Sequence, residues 1–131
     1  METLNIDMTK NIQILFVDDE RIFLQVVKKL FTKMGYKNIF CAHSGKEALK
    51  VISEKKIDIV FLDLLLPDMK GEIIYDEINA LNRNMPIVFM SGQIGLDIDS
   101  LQKERKAFAY IQKPFDIEAI KTILKNVSNV I

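Results

Sequence analysis

The stretch ILFVDDERIFL, residues 14–24, changes chemistry abruptly in its middle. Residues 12–17 are almost wholly apolar. Asp18 and Asp19 then stand side by side with Glu20 behind them, and apolar residues return at helical spacing. A short apolar run without polar alternation reads as a strand covered on both faces. A longer run with apolar residues three and four apart reads as an amphipathic helix. The stretch is therefore one strand–helix unit, with acids where the strand ends. One carboxylate there could cap the helix. Two or three in the same space repel each other unless a cation joins them.

The same unit recurs along the chain. Short apolar runs fall at 12–17, 37–42, 57–62, 86–90 and 108–112, and helical runs at about 20–34, 45–54, 72–82, 97–106 and 117–127. Strand–helix alternation throughout predicts a three-layer α/β domain around a parallel sheet. Local signals agree. Gly35 sits where a helix C-terminal glycine belongs, Ser44 with Glu47 spells a capping box, and Pro114 and Asp116 punctuate the entry to the last helix. No repeat or linker interrupts the series. The expected organisation is an N-terminal extension (1–11), one domain (12–128) and a short tail (129–131).

Composition narrows the function. A chain of 131 residues is long enough for one core without disulfides or a structural metal. The 18 basic and 18 acidic residues cancel, which leaves no overall electrostatic footprint for nucleic acid or an anionic membrane. Cys41 is the sole cysteine, so no internal disulfide forms and a reducing, cytoplasmic setting fits. No apolar run nears the roughly 18 residues of a membrane span, and METLNIDMTK at the start is no secretory signal. The sequon at Asn126 has no use in a cytoplasmic protein.

In open parallel sheets, ligands bind beyond the carboxyl ends of the strands. The five ends supply Asp18 and Asp19; Ala42, His43 and Ser44; Asp63 in IVFLDLLLPDMKG (59–71); Ser91 and Gly92 in PIVFMSGQ (86–93); and Lys113 and Pro114 in AYIQKPF (109–115). Three carboxylates, a hydroxyl and an ammonium thus share one edge. An all-oxygen site suits Mg²⁺ bridging to a phosphate oxygen. Lys113 and Ser91 could contact the same phosphate, and a carboxylate can become an acyl phosphate. The plainer alternative has Asp18 and Asp19 as a turn and N-cap, Asp63 as a turn acid, Ser91 as a loop residue and Lys113 as a solvated lysine. Each residue alone fits the plainer alternative better, whereas all five at matching strand ends by accident is far less expected, so the pattern by itself leaves the two readings evenly balanced.

At this point the chain resembles the receiver domain of two-component response regulators, over nearly its whole length. The resemblance rests on the DD pair at 18–19, Asp63 ending the third strand and followed by Pro67 and Gly71, Ser91 ending the fourth strand, and KPF at 113–115. It implies a doubly wound, five-stranded, flavodoxin-like (βα)₅ fold and a set of roles. Asp63 would be the phospho-acceptor, loaded by a histidine kinase or a histidine phosphotransfer protein. Asp19, Asp63 and the Leu65 backbone carbonyl would hold Mg²⁺, with Asp18 acting through metal-bound water. Lys113 would contact the phosphoryl group and precede a cis Pro114. Ser91 and Tyr110 would move together on phosphorylation, and the small Gly92 would leave the acceptor accessible. Leu65 and Gln93 occupy the positions that tune phosphate lifetime, and predict no extreme of it. The family's output surface corresponds here to 97–127, which implies a downstream protein target and no direct contact with nucleic acid.

The kinase is expected to dock near the first helix. There Phe23, Val26, Val27, Leu30 and Met34 read as the core stripe. Ile22, Leu24 and Phe31 lie beyond it, either at the core margin or as a docking surface. Glu20 reads as opening that helix near its positive end. His43 reads as a loop residue, and Cys41 as a small buried apolar residue ending the second strand.

Rival functions fit less well. A phosphatase with an aspartate nucleophile of the haloacid dehalogenase type expects a second aspartate two residues on, where this chain has Leu65. A nucleotide-binding module expects a glycine-rich loop in place of DDER. A receiver that had lost phosphorylation would lack Asp19, Asp63 or Lys113. Met1 and the absence of a trailing linker favour a stand-alone regulator over a receiver cut from a DNA-binding regulator or hybrid kinase.

Overall fold

The computed structural model describes residues 8–82, 84–92, 98–114 and 117–128. After a 3₁₀ turn at Met8–Asn11 come β1 (Gln13–Val17), α1 (Arg21–Lys33), β2 (Asn38–Ala42), α2 (Gly45–Glu54), β3 (Ile59–Asp63) and α3 (Gly71–Leu81). They are followed by β4 (Ile87–Ser91), α4 (Ile98–Glu104), β5 (Ala109–Gln112) and α5 (Ile117–Ser128). The strands form one parallel sheet in the order β2-β1-β3-β4-β5. No helix among the described residues is long and apolar enough to cross a membrane.

The expected three layers follow from period-two alternation along strands that are apolar on both sides. Ile14, Phe16, Ile59, Phe61, Val88 and Met90 pack to one side with Leu24, Val27 and Phe31 of α1 and Ile120, Leu124 and Val127 of α5. Leu15, Val17, Val60, Leu62, Ile87 and Phe89 pack to the other with Ala48 of α2 and Ile74 and Ile78 of α3. The register opposes Phe16 to Phe61, whose rings stack at 4.6 Å. β1 lies between β2 and β3, so successive connections diverge at its carboxyl end, where a crevice opens.

The caps are specific. Gly35 has φ +97°, and Gly35 N–H and Tyr36 N–H donate to the Thr32 and Phe31 carbonyls, a Schellman ending for α1. Lys10 closes the same end. Its Nζ donates to the Met34 carbonyl at 2.8 Å and lies 4.3 Å from the Tyr36 ring centroid. Ser44 Oγ accepts from Glu47 N–H at 3.1 Å, the serine half of the expected box, while the Glu47 carboxylate lies 3.4 Å from His43 Nδ1. Gly71 is required by packing. A Cβ there would stand 2.8 Å from Leu64 Cα and 2.9 Å from the Asp63 carbonyl, so α3 can start against the end of β3 only without a side chain.

Several expectations shift. The third and fourth strands begin later than their apolar runs, while Asp63 and Ser91 end them as expected. α4 ends at Glu104 rather than 106; the Arg105 N–H still donates to the Leu101 carbonyl at 2.8 Å, and its side chain pairs in two-pronged fashion with Asp76 of α3, at 2.9 and 2.8 Å. Cys41 lies within β2, not at its end, and is half-buried, with Sγ 3.9 Å from the Leu24 carbonyl. The core stripe of α1 is rotated from the expected one. Leu24 and Phe31 are core residues, while Val26 and Leu30 are 56% and 39% exposed. Phe31 fixes this phase by lying 6.0 Å from the Phe16 ring and edge-on to Tyr36 at 5.2 Å. Val27 keeps its place, and Phe23 and Met34 pack half-buried at the margin.

Candidate functional site

The site is built at the carboxyl ends of β1, β3, β4 and β5. β1 continues into Asp18, whose N–H still donates to the Ala42 carbonyl at 3.0 Å and draws its side chain inward. Asp18 is fully buried. Its Oδ1 accepts from Glu20 N–H at 2.9 Å, and its Oδ2 is bonded to Lys113 Nζ. Asp63, also buried, accepts from Leu65 N–H at 3.0 Å on Oδ1 and has Oδ2 3.4 Å from Lys113 Nζ. Asp19 is exposed at the mouth. One carboxylate oxygen from each of Asp18, Asp19 and Asp63 lies within 4.8 Å of the others.

Lys113 reaches these acids because β5 pairs with β4. Its N–H donates to the Ser91 carbonyl at 2.7 Å, and the following peptide to Pro114 is cis, as the resemblance implied. Ser91 is buried beside it. Tyr110 lies opposite Phe89 in the ladder, with ring centroids 5.4 Å apart. Its buried Oη has no hydrogen-bond partner among the described residues, and burial raises its phenol pKa above the ordinary value. A cleft of about 570 Å³ is lined by Asp19, Glu20, Asp63, Leu65, Gly92 and Lys113. Gln93, Asp97, Phe115 and Asp116 lie outside the described residues.

Burial pushes the Asp63 carboxyl above the usual carboxylate range. The Leu65 N–H and the Lys113 charge oppose that push, and the Asp18 charge adds to it. For Lys113, burial acts to lower the pKa, but the Asp18 bond and the charges of Asp63, Asp18 and Glu20 outweigh it and hold the ammonium above its ordinary value. The donor set fits a small hard cation: three carboxylates close enough to share one ion, open to the cleft on the Asp19 side.

Two neighbours of Lys113 were not read as such from the sequence. Glu20 precedes α1 in extended conformation and makes no side-chain cap bond; its Oε1 lies instead 3.4 Å from Lys113 Nζ. Phe23 presents its ring to the same ammonium, 4.6 Å from the centroid. A third residue, Asp68, works away from the site. Its two carboxylate oxygens accept from Gly45 N–H and Lys46 N–H at 2.9 and 3.0 Å, so it caps α2 from the β3–α3 loop. The PDM sequence after Asp63 was its one available signal. His43 sits between Arg21 Nη1 and Glu47 Oε2, each 3.4 Å away.

The family model for the response regulator receiver domain matches residues 14–125, and the chain belongs to that family. It is thus a signalling switch domain of two-component systems. Sporulation initiation phosphotransferase F of Bacillus subtilis is 32% identical over 115 residues, which cover 88% of this chain and 92% of that protein. The transcriptional regulatory protein ZraR of Escherichia coli K12 is 30% identical over 88% of this chain, which spans only 26% of ZraR. Among solved structures, response regulator TrrA of Thermotoga maritima, in complex with Mg²⁺-BeF, is 28% identical. It has a TM-score of 0.78, with 88% of this chain and 98% of that one covered.

Proposed function

We propose that Asp63 accepts a phosphoryl group from a histidine of a kinase or phosphotransfer protein, and that the resulting acyl phosphate switches the domain's partner binding. One observation carries this reading: a buried carboxylate has one oxygen held by the Leu65 N–H and the other turned to Lys113 and an open cleft. An Asp63 oxygen forms a bond to phosphorus as the phosphorus–nitrogen bond of the donor breaks. Lys113 passes from the acids to the arriving phosphoryl oxygens, and the Ser91 hydroxyl donates to another. Asp19, Asp63 and the Leu65 carbonyl would hold Mg²⁺, with Asp18 acting through metal-bound water. The ion, when bound, supplies neutralising charge for the phosphoryl oxygens. The phosphotransferase F likeness and the Mg²⁺-BeF complex of TrrA support these assignments.

The exposed row Ile22, Val26 and Leu30 on α1 begins beside the site and offers the donor protein an apolar surface. It replaces the Ile22, Leu24 and Phe31 set expected from sequence. Ser91 and Tyr110 would carry the change to α4, β5 and α5, the surface for a downstream protein in a cytoplasmic setting. Residues 12–128 would form the receiver unit. A second context, a receiver within a larger regulator, is favoured by the 26% share of ZraR that this chain spans. Acetyl phosphate with Mg²⁺ tests the acceptor directly. Intact-protein mass should rise by one phosphoryl group in the parent chain and not in Asp63→Asn; phosphate uptake by the variant refutes the assignment.

A further inference from the structure

The loop between β3 and α3 is closed at its base and pinned at its tip. At the base, Leu64 N–H donates to the Met90 carbonyl and Gly71 N–H to the Leu64 carbonyl, each at 3.0 Å, and Leu65 forms an antiparallel bridge with Lys70. At the tip, Leu66 is buried in the core and the Asp68 side chain reaches across to α2. The first three amides of α2 are divided between two residues. Asp68 accepts from Gly45 N–H and Lys46 N–H, and the helix's own Ser44 accepts from Glu47 N–H. Met69 closes on the same spot, since a Cβ at Gly45 would stand 3.0 Å from Met69 Sδ.

A helix start is commonly capped by the residue next to it. Here two of the bonds come from another segment, so what satisfies α2 also restrains the loop. The restraint bears on Leu65. Its N–H holds Oδ1 of Asp63 at 3.0 Å, and Leu65 lines the acceptor cleft, whereas Asp68 lies outside that lining.

We infer that Asp68 is a positioning residue for the acceptor site: by clamping the loop tip onto α2 it fixes Leu65, and through Leu65 both the Asp63 carboxylate and the backbone carbonyl offered to Mg²⁺. The inference rests on the reading of Asp63 as acceptor and Leu65 as a metal ligand. Asp68 itself touches neither the ion nor the phosphoryl group. Mg²⁺ demands near-ideal octahedral geometry at short distances, so its binding is sensitive to a small displacement of one ligand. Without the clamp the loop tip is freer, and ordering it on binding weakens the affinity.

Titration calorimetry with Mg²⁺ on the parent chain, Asp68→Ala, Asp68→Asn and Ser44→Ala tests this. Asp68→Ala should raise the dissociation constant about tenfold, the lower end for loss of a group that supports a metal ligand. Asp68→Asn keeps a capping oxygen without the charge and should recover most of the affinity. Ser44→Ala removes a cap from the same helix end without touching the loop, and should bind as the parent does. Amide exchange in the metal-free protein reads the restraint with no ion present: the Leu65 amide should exchange faster in Asp68→Ala than in Ser44→Ala. Parental affinity in Asp68→Ala, or equal losses in Asp68→Ala and Ser44→Ala, overturns the clamp. So does an Asp68→Asn variant as weak as Asp68→Ala, which would make charge the cause. If the parent chain binds no Mg²⁺, the metal-ligand reading fails instead, and the Leu65 exchange comparison alone decides the clamp.

Discussion

Asp68 caps a helix it does not belong to: both its carboxylate oxygens receive backbone N–H groups, from Gly45 and Lys46 at the start of α2. The Gly45 bond, ahead of the Lys46 bond, holds the Asp68 carboxyl below the usual range. A carboxyl depressed in the folded state contributes stability above its unfolded pKa, and that contribution is lost as pH falls through the folded value. Asp68→Ala should cost about 1 kcal/mol near neutral pH, the usual value of an N-cap. It should also flatten the acid side of the stability curve. Urea melts across pH 3–7 would check both.

Asp63 has the opposite sign. Its carboxyl is raised by burial, so the ionised form opposes folding at neutral pH, and the opposition fades as pH falls through the folded value. Asp63→Asn should therefore melt higher than the parent in chelator-containing buffer. Asp18→Asn should melt lower, because Asp18 is fully buried against Lys113. Equal shifts of the two variants would contradict this division.

Added Mg²⁺ should raise the melting temperature of the parent, by about 2.7 kcal/mol of stability at a hundred times the dissociation constant. Asp19→Asn should weaken that response more than Glu20→Gln, since Asp19 belongs to the three-carboxylate cluster and Glu20 faces Lys113. Titration calorimetry on each variant measures the difference.

Adjacent valines on α1 separate core from surface. Val27 is 5% exposed and Val26 is 56% exposed. Val27→Ala should cost about 2 kcal/mol, while Val26→Ala should change stability by less than about 0.5 kcal/mol. If Val26 is part of a docking surface, its substitution should instead slow transfer from a cognate histidine donor.

The sheet was legible because β1, β3 and β4 each hold an unbroken apolar run, at 14–17, 59–62 and 87–90, and the acids stood out against them. The phase of α1 was not. Ile22, Val26 and Leu30 form a row as apolar as Leu24, Val27 and Phe31. The choice between them is made by Phe16 and Tyr36, in other segments of the chain. The roles of Glu20 and Asp68 were hidden for a related reason. One meets Lys113 across 93 residues and the other meets Gly45 across 23, and loop conformation rather than local pattern sets those meetings.

Lys10 ties the beginning of the described chain to the far end of α1, through the Met34 carbonyl and the face of Tyr36. Trimming the protein at Ile12 would strip the lid from a buried aromatic and leave a helix-end carbonyl to water. Purification tags are best placed at the other terminus, or set off by the natural residues that precede the 3₁₀ turn.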